Sequence, residues 1–188
     1  MPKLELDDQH VYRLDGRRLL SVTQALSILD DRWKVDPFYL QRGSMVHRAT
    51  AYYDRGEFDD FTWDERIIPY VDAYVKFRSE TDFVPTDIEL PLVHNTYKYA
   101  GTIDRIGLLN GYAVLIDLKT GAKVKIDELQ EVAYWELAMS NKILVQKLFD
   151  LYLHKNGNYN LEPVKQIPRH FLPVFLAALT CARWKNGL

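Results

Sequence analysis

The sequence predicts an α/β domain in which a small mixed β-sheet is flanked by helices. Two observations lead to this fold class. Segments with the apolar spacing of helices alternate with short runs that have the composition of strands. The chain has 188 residues, of which 47% are hydrophobic and 27% charged. It is therefore long enough for one domain with a sizeable core, and we expect residues 1–188 to form it.

The first part of the chain, residues 1–80, is predicted to begin with a hairpin and a short helix. The segment HVYRLDGRRLLS has a turn signal at Asp15-Gly16 between two strand-like runs. The short helix follows in VTQALSILDD, where Ser21 or Thr23 can cap its first turn.

Two longer helices complete this part. The segment DPFYLQRGSMVHRATAYYDRG opens with Asp-Pro, a helix-start signal, and ends at Gly56. The segment TWDERIIPYVDAYVKFRSET has apolar residues at helical spacing, and Pro69 lies near its first turn or kinks it.

The second part, residues 81–188, is predicted to contain the sheet. TDIELPLVHN, YKYAGTIDRIGLL and YAVLIDLKT have the composition of strands. IDELQEVAYWELAMSNK is a helix, with Asp127 as its N-cap and Gln130 three residues on. One or two further strands follow, interrupted at KNGN, before the closing helix IPRHFLPVFLAALTCARWKNG.

The composition narrows the class of protein. The formal net charge of −2 argues against a protein that coats DNA without specificity, although a local basic groove is compatible with it. The single cysteine, Cys181, excludes an intrachain disulfide and a four-cysteine iron–sulfur cluster. No apolar run approaches the roughly 18 residues of a membrane span. The N-terminus MPKLELDDQH is not a signal peptide, so we expect a cytoplasmic protein.

The strongest local signal is a hairpin turned at Asn110-Gly111, between two apolar runs. A two-residue turn fixes the register of the strands and places Asp104 opposite Asp117. Their Cβ atoms would then lie roughly 4.5–5.5 Å apart, and like charges in this position destabilise a sheet.

A divalent cation would resolve this conflict, because carboxylate oxygens are the ligands that Mg²⁺ and Mn²⁺ prefer. Lys119 lies two residues after Asp117 and therefore points to the same face. The alternative is that Asp104 and Asp117 merely end two strands and that Lys119 bridges them on the surface. The apolar flanks of both strands favour an interior site.

At these residues the sequence resembles the PD-(D/E)XK nuclease superfamily, and within it the RecB-like branch. The motifs of that branch occur in order: GSMVH at Gly43–His47, GTID at Gly101–Asp104, DLK at Asp117–Lys119, and QEVAY at Gln130–Tyr134. The resemblance spans roughly residues 21 to 153. It implies a restriction-endonuclease-like core. The chain lacks the four cysteines that CRISPR adaptation nucleases of the branch use for an iron–sulfur cluster.

The resemblance implies a site for one or two Mg²⁺ or Mn²⁺ ions. Asp104 and Asp117 match the branch's metal ligands, and the carbonyl of Leu118 commonly adds a third oxygen. His47 resembles the additional ligand of the branch, and an imidazole favours Mn²⁺ over Mg²⁺. Glu89 matches a glutamate often found on the preceding strand, although by itself it reads as a solvent-facing residue.

The resemblance also implies the catalytic partners of the metal ligands. Lys119 would orient the attacking water and the scissile phosphate. Gln130 and Tyr134 lie four residues apart, so both would face the site from one helix. For Gln130 an alternative stays open, since it could form a capping box with Asp127. For Tyr134 the alternative is packing in the core.

Four basic residues flank these motifs and are candidates for contacts with DNA. Arg42 and Arg48 lie on either side of the His47 turn, and Lys123 and Lys125 follow the DLKTG segment. All four could equally form a solvated face.

The function implied is a metal-dependent DNA exonuclease in recombination, repair or phage replication. Its partners would be DNA ends or single strands, together with a single-strand annealing or binding protein. A structure-specific DNA endonuclease and a non-catalytic DNA-binding scaffold are the alternatives. The complete acid–lysine set argues against the scaffold.

Overall fold

The computed structural model describes residues 3–7, 10–29, 37–57, 63–164 and 169–188. Its elements are β1 (Leu4–Leu6), β2 (Tyr12–Leu14), β3 (Arg17–Leu19), α1 (Val22–Leu26), α2 (Pro37–Arg55), α3 (Ile68–Glu80), β4 (Val84–Val93), β5 (Ala100–Leu109), β6 (Tyr112–Lys119), α4 (Asp127–Ser140), β7 (Lys147–Leu153), β8 (Tyr159–Pro163), a 3₁₀ turn (Arg169–Phe171) and α5 (Leu172–Asn186). Among these described elements, no helix is both long and apolar enough to cross a membrane.

The central sheet has five strands in the order β4-β5-β6-β7-β8. Neighbouring strands are antiparallel except β6 and β7, which run parallel. Parallel neighbours need a crossover connection, and α4 supplies it. The predicted mixed sheet is therefore confirmed, with two strands after α4.

Two hydrophobic cores lie on opposite faces of this sheet, and β6 contributes to both. Leu115 belongs to the core formed with α1, α4 and α5. Val114 and Ile116 belong to the core formed with α2 and α3. This alternation is the two-residue period of a strand that is buried on both faces. The helices therefore flank the sheet on both sides, as predicted.

The N-terminal strands form a separate three-stranded antiparallel sheet, β1-β2-β3. The predicted Asp15-Gly16 turn joins β2 and β3, whereas β1, equally short, was not predicted because no such turn signal adjoins it. This sheet is tied to the central one, since the hydroxyls of Tyr12 and Thr102 lie 2.8 Å apart. Ser21 caps α1 with a complete capping box, as expected.

The other helix ends test the remaining boundary predictions. Pro69 lies in the first turn of α3, where its missing N–H costs nothing. The Asp-Pro start signal predicted for α2 includes Asp36, which lies outside the described residues. Asp127 is not the N-cap of α4, so that prediction is wrong: Ile126 holds the position without a side-chain cap. The carboxylate of Asp127 turns back instead and accepts a hydrogen bond from the N–H of Val124 at 2.9 Å.

The Asn110-Gly111 hairpin has the predicted register from Leu109–Tyr112 to Arg105–Ile116. Both turn residues have positive φ, 50° and 75°, as a type I′ turn requires. The ladder ends one position before Asp104 and Asp117, so their predicted pairing is wrong. The cause is local, because the N–H of Leu118 donates to the carboxylate of Asp104 at 2.7 Å.

Candidate active site

A cleft of about 1040 Å³ opens between α2, the N-terminal hairpin and the ends of β5 and β6. The hairpin side contributes His10, Tyr12 and the start of α1. The predicted site residues that line the cleft are His47, Arg48, Glu89, Asp104, Asp117, Leu118, Lys119, Gln130 and Tyr134. The fold thus brings motifs from two helices and three strands to one place.

The first group in this cleft consists of His47, Glu89 and Asp104. His47 Nδ1 lies 3.2 Å from Asp104 Oδ1 and 3.8 Å from Glu89 Oε1. One ligand atom from each residue lies within 4.8 Å of the other two. Two carboxylate oxygens and an imidazole nitrogen at this separation suit a divalent cation, and the nitrogen favours Mn²⁺. The residues present therefore fit the metal that the motifs imply.

The sheet opens on both sides of Asp104 to form this group. The pairs Ile88–Arg105 and Leu90–Ile103 place Glu89 opposite Asp104, but these two residues are not paired in the ladder. Glu89 has a φ of 50°, a left-handed conformation that is strained for a residue other than glycine. This distortion aims the carboxylate of Glu89 at His47.

The charges in the first group depend on one another. Burial opposes the charge of His47, but Asp104 and Glu89 outweigh it and raise the pKa of the imidazole to about 9. Burial alone would raise the pKa of Asp104, yet His47, the N–H of Leu118 and Arg105 together lower it. The pKa of Glu89 is raised, chiefly by burial and then by Asp104. The group is thus a pair of carboxylates that a positive charge stabilises.

The second group lies at the end of β6 and consists of Asp117, Lys119, Asp127 and Gln130. The ammonium of Lys119 forms an ion pair with Asp117 Oδ2, donates to Gln130 Oε1 at 2.9 Å and lies 3.7 Å from Asp127 Oδ1. Gln130 therefore faces the site, and the capping-box alternative is wrong. The surface alternative, in which Lys119 bridges Asp104 and Asp117, is wrong: the lysine pairs with Asp117 and Asp127 instead, and its side chain is only 13% exposed.

The positive charge in the second group is the ammonium of Lys119. Burial opposes the charge of Lys119, but Asp117 and Asp127 outweigh it and raise the pKa of the ammonium. Burial also raises the pKa of Asp117 to about 7, with Asp104 adding to the effect and Lys119 opposing it. Asp117 is not among the three residues whose ligand atoms converge. Its predicted role as a ligand stays a prediction, since the ion pair with Lys119 uses Oδ2 alone.

Tyr134 is buried beneath the cleft and connects two motifs. A Cβ added at Gly101 would lie 2.9 Å from Tyr134 Cε1, 3.2 Å from Leu137 and 3.3 Å from Val22. The glycine of the GTID segment therefore lets the tyrosine ring pack against β5. By contrast, a Cβ added at Gly43 would meet only the Thr120 hydroxyl at 3.6 Å, an ordinary contact.

The four candidate DNA contacts differ in their surroundings. Arg48 is exposed and lines the cleft. Arg42 is half-buried, donates to the carbonyl of Thr120 at 3.0 Å and stacks on Tyr70, so its guanidinium joins α2 to the end of β6. Lys123 forms an exposed ion pair with Glu162 at 3.2 Å. Lys125 is exposed and lies outside the cleft lining.

One buried charged residue beside this site was not predicted from the sequence. Arg105, directly after Asp104, is fully buried and contacts Glu89 and Asp54. The signal was present, since an arginine inside the apolar run IDRIGLL needs a buried partner. The partner could not be located from the sequence, because Asp54 lies 51 positions earlier.

Comparisons with known proteins bear on the family and the fold of the chain. A sequence model of the PD-(D/E)XK nuclease superfamily matches residues 9–171. The crystal structure of a proposed exonuclease from Eubacterium rectale is similar, with a TM-score of 0.54 and 12% identity over 78% of this chain and 68% of that chain. The crystal structure of SSO0001 has a TM-score of 0.45 and 14% identity, covering 77% of this chain and 74% of that chain. No curated protein sequence matches the chain significantly.

Proposed function

Because the chain belongs to the PD-(D/E)XK nuclease superfamily, we propose that it is a divalent-metal-dependent deoxyribonuclease that degrades DNA from ends or single strands. The observation that carries this proposal is the convergence of His47, Glu89 and Asp104 in the same cleft as Lys119. Metal ligands and a buried cation facing one cleft are the two components that phosphodiester hydrolysis needs.

His47, Glu89 and Asp104 would hold the cation, and Asp117 and the carbonyl of Leu118 are proposed to complete the site. A cation held there would act as a Lewis acid on the phosphate and lower the pKa of water. The imidazole nitrogen makes activity with Mn²⁺ at least equal to that with Mg²⁺. Because Asp104 already accepts the N–H of Leu118, the backbone of β6 fixes one of its oxygens.

Lys119 is proposed to act on the reacting groups. Its ammonium has three donors, of which Asp117 and Gln130 engage two. The positive charge of the ammonium would stabilise the charge that develops on the phosphate, and its third donor would orient the attacking water. Gln130 and Tyr134 would keep Lys119 in place from α4.

The substrate would approach along the cleft. Arg48 is exposed on its α2 wall and would contact the DNA backbone. Lys123 and Lys125, exposed beyond the end of β6, are further candidates, and Lys123 would exchange Glu162 for a phosphate. The preference for an exonuclease rests on the RecB-like motif set. The proposed setting is recombination, repair or phage replication in the cytoplasm of a bacterial or phage-infected cell, beside a single-strand annealing or binding protein.

The decisive test is digestion of end-labelled single-stranded and double-stranded DNA, with and without Mn²⁺, beside a covalently closed circle. We expect Mn²⁺-dependent loss of the linear substrates and an intact circle. Asp104→Asn should lower cleavage by on the order of 10²–10³-fold, whereas Asp87→Asn, a change on β4 outside the cleft lining, should not. Cleavage of the circle would identify an endonuclease instead. The absence of divalent-dependent cleavage on every DNA form would overturn the proposal.

A further inference from the structure

Arg105 is a charged side chain with 0% exposure at the centre of the sheet. Burial of an unpaired guanidinium is very costly, so its contacts must be extensive. Its guanidinium meets this requirement with five hydrogen bonds: Nε donates to Asp54 and Tyr74, Nη1 to Glu89 and the carbonyl of Asp104, and Nη2 to Thr50.

One nitrogen of Arg105 connects two residues of the cation site. Nη1 donates to Glu89 Oε1 at 3.0 Å and to the carbonyl oxygen of Asp104 at 2.6 Å. The guanidinium therefore fixes the distance between the carboxylate of β4 and the backbone that carries the carboxylate of β5. The contact uses Oε1 of Glu89, so Oε2 is not engaged by this bond.

The contact with Arg105 matters because the backbone of Glu89 is strained. Its φ of 50° is strained for a residue with a side chain, and such a conformation persists only where the surroundings hold it. The ion pair with Arg105 lies at this distortion. Without that contact, we expect Glu89 to relax into an ordinary strand conformation, which would move its carboxylate away from His47 and Asp104.

The other two nitrogens of Arg105 are also held by hydrogen bonds. Nε donates to Asp54 Oδ2 at 2.5 Å, and Nη2 donates to the hydroxyl of Thr50 at 2.9 Å. Both residues come from α2, the helix that also carries His47. Arg105 thus joins all three elements that supply the candidate ligands: α2, β4 and β5.

We propose that Arg105, fixed by Asp54, is a positioning residue that holds Glu89 in its distorted conformation and so sets the geometry of the cation site. This inference rests on the proposed function, because it assigns Arg105 to the metal site of that nuclease. Arg105 itself contacts neither cation nor DNA; it acts through Glu89 and Asp104.

The test measures Mn²⁺ binding directly, by electron paramagnetic resonance titration of Arg105→Lys. Lysine keeps the charge but cannot bridge Glu89, Asp104, Asp54 and Thr50 with one ammonium. Loss of a residue that orients metal ligands typically weakens binding about 10- to 100-fold. We expect the dissociation constant for Mn²⁺ to rise by this factor, while cleavage at saturating Mn²⁺ falls much less.

Arg78→Lys is the matched control. Arg78 pairs with the same Asp54 but has no bond to Glu89 among the described contacts. It should alter thermal stability while leaving the dissociation constant for Mn²⁺ within about twofold, well short of the 10-fold effect expected of a ligand-orienting residue. Asp54→Asn serves as a second variant if Arg105→Lys does not fold. It should weaken Mn²⁺ binding, because Arg105 loses the charge that fixes it.

The outcomes separate this inference from the proposed function. Folded Arg105→Lys that binds Mn²⁺ like the unaltered protein would overturn the inference alone, and so would Asp54→Asn with unchanged binding if Arg105→Lys does not fold. Failure of the unaltered protein to bind Mn²⁺ would overturn the proposed function and the inference with it. Equal weakening by Arg105→Lys and Arg78→Lys would assign the effect to general packing and reject the positioning role.

Discussion

The cleft contains two acidic groups that differ in the positive charge that faces them. In the group of His47, Glu89 and Asp104, the charge is a proton on an imidazole, which can dissociate. In the group of Asp117 and Lys119, it is an ammonium whose pKa the surrounding acids raise. A divalent cation can replace a proton, whereas it must compete with a lysine. We therefore propose metal binding for the former group first and charge stabilisation for the latter.

The largest expected effect comes from removing one charge in each group. Asp104→Asn and Lys119→Met should each lower kcat/KM for DNA cleavage by on the order of 10²–10³-fold. They should differ in Mn²⁺ binding, because only Asp104 belongs to the converging ligands. Calorimetric titration should show affinity lost in Asp104→Asn and kept in Lys119→Met. Equal loss in both variants would mean that the two groups form one inseparable site.

Replacing His47 should have a smaller effect on cleavage, and the effect should differ between Mn²⁺ and Mg²⁺. His47→Gln replaces a nitrogen ligand by an amide oxygen and should lower Mn²⁺-supported cleavage about 10-fold, with a weaker effect in Mg²⁺. His154→Gln, in the exposed turn between β7 and β8, is the control. An equal loss with both metals would show that His47 does not select between them.

The two motif glycines predict a contrast in stability. Gly101→Ala forces a Cβ to within 2.9 Å of Tyr134 and should destabilise the protein by about 1–3 kcal/mol. Gly43→Ala adds only an ordinary contact and improves helix propensity, so stability should stay equal or rise by up to about 1 kcal/mol. Urea unfolding measures both. Similar destabilisation by the two variants would contradict the packing described for Tyr134.

The smallest effect concerns pH and a carboxyl pair behind Lys119. Burial, followed by the neighbouring carboxyl of Asp150, raises the pKa of Glu131 from 4.5 to about 8. A group with a higher pKa in the folded state stabilises fully below pH 4.5, and this contribution is lost as the pH rises through 8. Glu131→Gln should therefore raise Tm at pH 9, by on the order of 5 °C, and change it little at pH 5.

Glu128→Gln, on the same helix, is the control for this pH effect.

The physical basis of the gain expected from Glu131→Gln is that Asp150 is fully buried and its Oδ1 lacks a hydrogen-bond partner in the described part of the chain. A glutamine amide can donate to that oxygen at every pH. A gain in Tm at pH 5 as large as the gain at pH 9 would contradict a titrating Glu131.

The fold was predictable where local rules decide it. Asn110-Gly111 determined the hairpin register, and Pro69 located the start of α3. The prediction failed at Asp104 because a side-chain carboxylate accepts the N–H that an unbroken ladder would pair. It failed at Asp127 for a related reason, since the carboxylate bonds to the preceding loop. Propensity rules assume that backbone donors meet their usual acceptors, and both aspartates break that assumption.

The site was predictable to the extent that its motifs name residue types. The structure places His47, Glu89 and Asp104 together, but pairs Asp117 with Lys119. The distortion at Glu89 and its contact with Arg105 depend on residues far apart in the chain. Such contacts follow from the tertiary packing of α2 against the sheet, which no local sequence pattern encodes.

His47, Glu89 and Asp104 are proposed to form the cation site. Crystals soaked in Mn²⁺ and measured at the manganese absorption edge test it most directly, because anomalous scattering locates the ion without reference to activity. We expect an anomalous peak bonded to His47 Nδ1 and to carboxylate oxygens of Glu89 and Asp104. A peak that contacts Asp117 but not His47 or Glu89, or no peak in the cleft, would contradict it.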